Sequence, residues 1–376
     1  MRDPRLDALR GACLVAMTAA HLTCCVGPLW VLTHPLLVVD AALGFVAVSG
    51  AVLGVTARRA RQTAAARTAR LWRRAARLWA AHLVLLTVGY LLRDATGEPS
   101  FLRDPDELGG WWVLLRDSAL LLHVGVHLDV LPLYVLLLLL TPLALWGLQS
   151  EQTPALLLAA AAVWTLTLVH GPPPLPGATG TFGWTGWQLP FVLGLAAGWH
   201  ADRLRALPHR PRWTGGAALA VALIAALAHL DDRTALLPAW TVEGLDTLFA
   251  KAPPGPGAVL LLPACAVVGY ATVTALRASR LVAGLALLGR HSLRGYLLLT
   301  AVAVWLPPLW NAQGQLERSA LAVATTAGLV ASARRQERTR ERVRARSTTS
   351  HSAAEEPPAL PGRRGPRGPS PDGADR

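Results

Sequence analysis

The chain has 376 residues, of which 53% are hydrophobic and only 16% charged, and its mean hydropathy is +0.38. A soluble domain carries about a quarter charged residues and gives its apolar runs a polar face. These runs have none, which excludes a large soluble helical core. The formal charge of +13 does not point to nucleic acid, because the arginines gather between apolar runs and in the tail, as the positive-inside rule requires.

Taken in chain order, apolar runs predict ten transmembrane helices, at 9–30, 36–57, 76–93, 130–149, 154–171, 185–202, 214–230, 257–277, 291–310 and 317–333. The expected fold is therefore all-α, a polytopic integral membrane protein. Arginines 58–77, 203–212, 277–290 and 334–338 all fall on one side of a ten-span chain. That side is the cytoplasm, and both termini lie there, in a cell (plasma) membrane. The connections left outside, 94–107, 171–183 and 231–251, are acidic or neutral. Residues 1–333 form the membrane domain. Residues 334–376 form a basic tail rich in Pro and Gly, without apolar periodicity, expected to be disordered.

The first run follows Arg2, Arg5 and Arg10, as a signal peptide would. It continues past any small-residue cleavage site, however, and Asp3 and Asp7 suit an n-region poorly, so it reads as an uncleaved span. Within it, Arg10 and His21 are eleven residues apart, about three helical turns, which puts both on nearly one face with the His about 16 Å above the Arg. Ionisable side chains at membrane depth cost about 2–3 kcal/mol and are functional candidates by default. Asp40, at the entry of the second span, belongs with them.

Cys13, Cys24, Cys25 and Cys265 lie in apolar runs without metal spacing and read as small buried hydrophobes. No metal site is expected. Segment 111–122 suits an interfacial or re-entrant helix on the outer face. Trp30, Trp79, Trp111, Trp112, Trp146 and Trp310 fall near span ends, as an aromatic belt does. Gly50 with Gly54, and Gly194 with Gly198, form Gly-x-x-x-Gly pairs that read as helix-packing faces. His123 and His127 read as a solvated outer loop. The chain has no P-loop, no GxGxxG after a strand and no Ser/His/Asp signature.

Six stretches then recur in a known order: RLDALRG (5–11), DAALGFVAVSG (40–50), RLWRRAARLWAAHL (70–83), LDVLPLY (128–134), WQLPFVLGLAAG (187–198) and LGRHSL (288–293). Together with the Arg10–His21 spacing they resemble the OpgC family, succinyltransferases of osmoregulated periplasmic glucans, within the acyltransferase family 3 membrane enzymes. The resemblance implies an O-acyltransferase that moves an acyl group from a cytoplasmic acyl-CoA to a carbohydrate or glycolipid hydroxyl outside, with acyl-CoA as co-substrate and no bound cofactor. It implies His21 and Asp40 as catalytic groups. Arg10, Ser49, His82, Asp129, Tyr134, Gln188, His291 and Ser292 would line the substrate cavity. Arg10 would suit the donor's phosphates and His21 would take the hydroxyl proton. The chain departs from the family pattern at Ala20 and Leu43, where the family carries acids. The competing reading is a non-catalytic transporter or assembly factor on the same scaffold. Against it, the two halves show no internal repeat of broken spans. The partners expected are the lipid bilayer, the donor and the acceptor, and no nucleic acid.

Overall fold

The structure is a computed structural model, and it describes residues 3–23, 29, 40–96, 102, 104–123, 128–176, 182–206, 212, 214–224, 244, 247–305 and 314–354. Among these every regular element is helical. The helices are α1 (Pro4–Thr23), α2 (Ala41–Arg59), α3 (Ala64–Thr96), α4 (Trp111–Ala119), α5 (Val130–Gln149), α6 (Thr153–His170), α7 (Trp184–Trp199) and α8 (Ala201–Arg205). They continue with α9 (Thr214–Ile224), α10 (Pro256–Ala275), α11 (Arg280–Arg290), α12 (Ser292–Trp305) and α13 (Gln315–Ala354). A 3₁₀ turn, Asp106–Leu108, precedes α4.

Five helices, α2, α3, α5, α6 and α10, are long and apolar enough to cross a membrane. Among the described residues, helix is found within each of the ten predicted stretches, and five of these helices meet that length and hydropathy. Helix α7 has 16 residues and α12 has 14, while α1 has 20 and carries Arg5, Asp7 and Arg10. Helix α3, with 33 residues, is about 50 Å long. It takes up Arg67, Arg70, Arg73, Arg74 and Arg77, which the sequence reading assigned to a connection. Residues 1–333 form one compact unit and 334–376 a second. Helix α13 continues through the Arg-rich run to Ala354, since Arg, Glu and Ala are good helix formers; residues 355–376 lie outside the described residues.

Small residues set the closest packing. A side chain at Gly50 or Gly54 would run into the Phe191 or Leu195 carbonyl, and one at Gly194 or Gly198 into that of Ala47 or Ala51. The two Gly-x-x-x-Gly pairs thus face each other, and the pairing of 47 with 194 and 51 with 198 makes α2 and α7 parallel. Gly44 faces Cys13 and Phe45 lies under Arg10, so α1 and α2 run antiparallel. Gly11 meets the Leu285 carbonyl and Gly289 that of Asp7, which seats α11 on α1. The chain then turns at His291, and α12 follows α1 upward with Gly295 against Leu14. At the start of α1, Asp3 accepts from Tyr270 and Arg205, both at 3.1 Å, tying α8 and α10 to that end. Cys13 and Cys265 are free thiols; Cys24, Cys25, Trp30, His127 and Trp310 lie outside the described residues.

Candidate functional site

Helix α1 buries Asp7, Arg10, Gly11, Leu14, Thr18 and Leu22, an i, i+3/i+4 stripe facing the other helices. Arg10, only 5% exposed, donates from Nη2 to Ser292 Oγ at 2.5 Å. Its guanidinium lies 5.6 Å from the Phe45 ring centroid, a cation–π distance. Phe45 meets Tyr134 edge-on at 5.8 Å and stacks on Tyr296 at 6.5 Å. The Tyr134 hydroxyl donates to the Phe45 carbonyl at 3.3 Å. The buried Ser49 hydroxyl, one turn along α2, is near enough to act on that phenol without reaching hydrogen-bond geometry. Four helices, α1, α2, α5 and α12, therefore bring Arg10, Ser49, Tyr134 and Ser292 together. His291, also buried, forms the turn that delivers Ser292.

Two further cations border this cluster, and sequence reasoning assigned a role to neither. Arg74 is half-buried on the inner stripe of α3, with Leu71, Ala75 and Leu78, and acts electrostatically on Tyr134 together with Arg10. Its signal in the sequence was weak, since it is one of many arginines. Lys251 is the sole lysine of the chain, and that oddity was the available clue. Its Nζ pairs with Asp40 Oδ2 at 2.8 Å and sits 5.5 Å over the Phe182 ring, which packs on Trp187 at 4.5 Å. The strap carrying Lys251 is pinned by Trp164, whose indole donates to the Pro254 carbonyl at 2.8 Å, and by Pro253 seated on Gly186.

Asp40 caps α2, accepting from the Ala42 N–H at 2.7 Å, and so combines an N-cap with an ion pair. Asp129, the residue just before α5, lies within reach of Lys251. Burial pushes its carboxyl up to about 7, against the pull of backbone N–H groups and Lys251. His21 is half-buried in the last turn of α1. From the Cys13–Gly44 contact, eight residues along α1 raise His21 by about 12 Å, and four residues back along α2 raise Asp40 by about 6 Å in the same direction. Asp40 is thus axially between Arg10 and His21. Gln188 stands apart from the cluster: its amide donates to the Ala160 carbonyl at 2.6 Å and clamps α7 to α6. His82 is fully buried on α3 in a different setting, beside α4. No group of three or more potential metal ligands occurs among the described residues.

A permanently charged side chain, enclosed by rings and hydroxyls between apolar helices, defines a helical membrane protein with an internal polar site. The chain belongs to the OpgC family: residues 2–341 match the family model described as OpgC protein. No curated protein and no solved structure matches it.

Proposed function

We propose that this protein is an integral-membrane O-acyltransferase of the acyltransferase family 3 type, moving an acyl group from a cytoplasmic acyl-CoA to a hydroxyl of an extracytoplasmic glycan or glycolipid. Membership in the OpgC family suggests a glucan-modifying acyltransferase. The observation that carries the reading is Arg10. A guanidinium is charged at every physiological pH, and burying it costs several kcal/mol in the absence of compensating groups. Here it is held by a hydroxyl and an aromatic face on the inner stripe of an apolar helix. That arrangement suits an anionic donor, whose phosphates a planar fork binds in bidentate fashion.

In the transfer, the acceptor oxygen attacks the thioester carbon and its proton passes to His21. The C–S bond breaks, and the coenzyme leaves as its thiolate and takes up a proton. Asp40, axially below His21 and paired with Lys251, orients the acceptor side.

The test compares membranes with and without the protein, supplied with acyl-CoA, by mass spectrometry of their glycans and lipids. A mass increment of one acyl group on one acceptor class is the expected result, and its absence overturns the reading. In the same assay His21→Ala should lose about 10²–10⁴-fold in rate, and a loss of only a few-fold removes the base role. Arg10→Lys should weaken acyl-CoA binding, because Lys keeps the charge but not the fork.

A further inference from the structure

Helix α3 is longer than a bilayer requires, and its outer face changes character along its length. Arg70, Arg73 and Arg77 are exposed and, at about 100° per residue, fall within about 60° of one another. Arg70 and Arg77 begin a seven-residue row that continues through Val84, 58% exposed, and Leu91, 54% exposed. One face is thus cationic in its first turns and apolar in the later ones, and the change falls between Arg77 and Val84. The exposed Trp79 stands at that level and the exposed Trp72 two turns before it, where interfacial tryptophans sit. Arg77 and Arg93 are about 24 Å apart along the axis, which fills a hydrocarbon core of about 30 Å once the arginines at both ends extend outward. Helix side chains lean toward the N-terminus, so Arg77 and Arg73 reach into the headgroup layer, with Arg70 one turn beyond.

We propose that Arg70, Arg73 and Arg77 form a binding site for the headgroup of an anionic phospholipid, one with a phosphate and no headgroup cation. With Arg74 on the same turns, the guanidiniums follow one another at i+3 and i+4, spacings at which like charges repel. Between Arg58 and Arg93 the sequence holds no Asp or Glu. Among the described residues no carboxylate pairs with Arg70, Arg73 or Arg77. Arg73 turns Nε to the Ala69 carbonyl at 3.2 Å, which leaves its terminal amino groups for an acceptor outside the helix. Phosphate oxygens supply the missing negative charge, and a planar fork binds them in bidentate fashion. A soluble anion would match the charge but not the position. The row runs unbroken into Val84 and Leu91, so an anion seated on it lies over the acyl chains those residues face. A zwitterionic headgroup brings its own cation to a row already in excess, which favours the anionic lipid. The site does not depend on the acyltransferase reading.

The test uses the full chain, purified in an uncharged detergent and titrated with phosphatidylglycerol or phosphatidylcholine, bound lipid being counted by native mass spectrometry. The wild type should bind phosphatidylglycerol the more tightly, and less so as salt is raised. Arg73→Gln and Arg77→Gln should each weaken phosphatidylglycerol binding about fivefold, the contribution of one arginine at an anionic surface, and leave phosphatidylcholine binding unchanged. The triple variant Arg340→Gln, Arg342→Gln, Arg344→Gln removes charge from α13 instead and should change neither. Equal wild-type affinity for the two lipids, unchanged phosphatidylglycerol affinity in both single variants, or an equal loss in the α13 variant overturns the site. So does displacement of the bound lipid, one for one, by acyl-CoA or inorganic phosphate, which would make this face a site for a soluble anion. In detergent without added lipid, Arg77→Gln should melt no lower than the wild type, because repulsion along the row is relieved. A lower melting temperature there with lipid affinity intact gives the arginine a structural role and overturns the proposal.

Discussion

Asp40 shows how one side chain holds two structural jobs that a chemical role must be separated from. It caps α2 through the Ala42 N–H and pairs with Lys251, although that pair is half exposed and worth no more than about 1 kcal/mol. Asp40→Ala removes cap and charge together and should lower stability by about 1 kcal/mol. Asp40→Asn keeps a cap acceptor and should lose less. Thermal unfolding of the two variants, read beside acyl transfer, separates the roles: Asp40→Asn with near-normal stability and lost transfer places the carboxylate in the chemistry, whereas retained transfer leaves it a cap. Arg10, by contrast, was legible from its depth in an apolar run. The family resemblance put Ser292 in the same cavity as Arg10, but neither their hydrogen bond nor the Phe45 ring beside the guanidinium was legible, because 282 and 35 residues of chain separate these partners from Arg10 and nothing local marks the encounter.

At the level of helices, α2 and α7 are held by reciprocal glycine contacts. Bilayer lipid offers no hydrophobic drive between helices, so close backbone approach and dispersion carry the association. Gly194→Ala drives a methyl into the Ala47 carbonyl and should destabilise by about 1–3 kcal/mol. Gly284 on α11 meets nothing within 4 Å, so Gly284→Ala should stabilise by about 0.5–1 kcal/mol through the helix propensity it restores. Melting temperatures of the purified variants in one detergent check both signs, and a neutral Gly194→Ala would deny the α2–α7 contact. The glycine spacing identified both faces in the sequence. That the two faces are each other's partners is a matter of tertiary packing. Helix α3 went the other way: its arginines read as a connection because they are polar, yet they continue the helix, since Arg has good helix propensity whether or not lipid surrounds it.

For the whole molecule, the directions of the packed helices agree with an alternating chain. Helices α1 and α2 are antiparallel, α2 and α7 parallel, and α1 and α12 parallel. The arginine distribution predicts that both termini and residues 60–63 face the cytoplasm. Single cysteines placed at Gln62 and Ser347, in a chain with its native cysteines replaced, should react with a membrane-impermeant maleimide only after the membrane is opened. A cysteine at Asp106 should react in intact cells. Labelling of Ser347→Cys without permeabilisation would move the C-terminus outside and rule out an even span count.

Much of this protein follows from composition alone. Long apolar runs cannot leave their backbone groups unpaired in lipid, so helices were obligatory, and an arginine inside such a run marked the interior site before any contact was known. What the sequence could not hold was adjacency. The pairing of Lys251 with Asp40 and the seating of Ser292 on Arg10 each join residues distant in the chain. Those meetings depend on which helix faces pack together, and that is decided by the shape of the whole bundle.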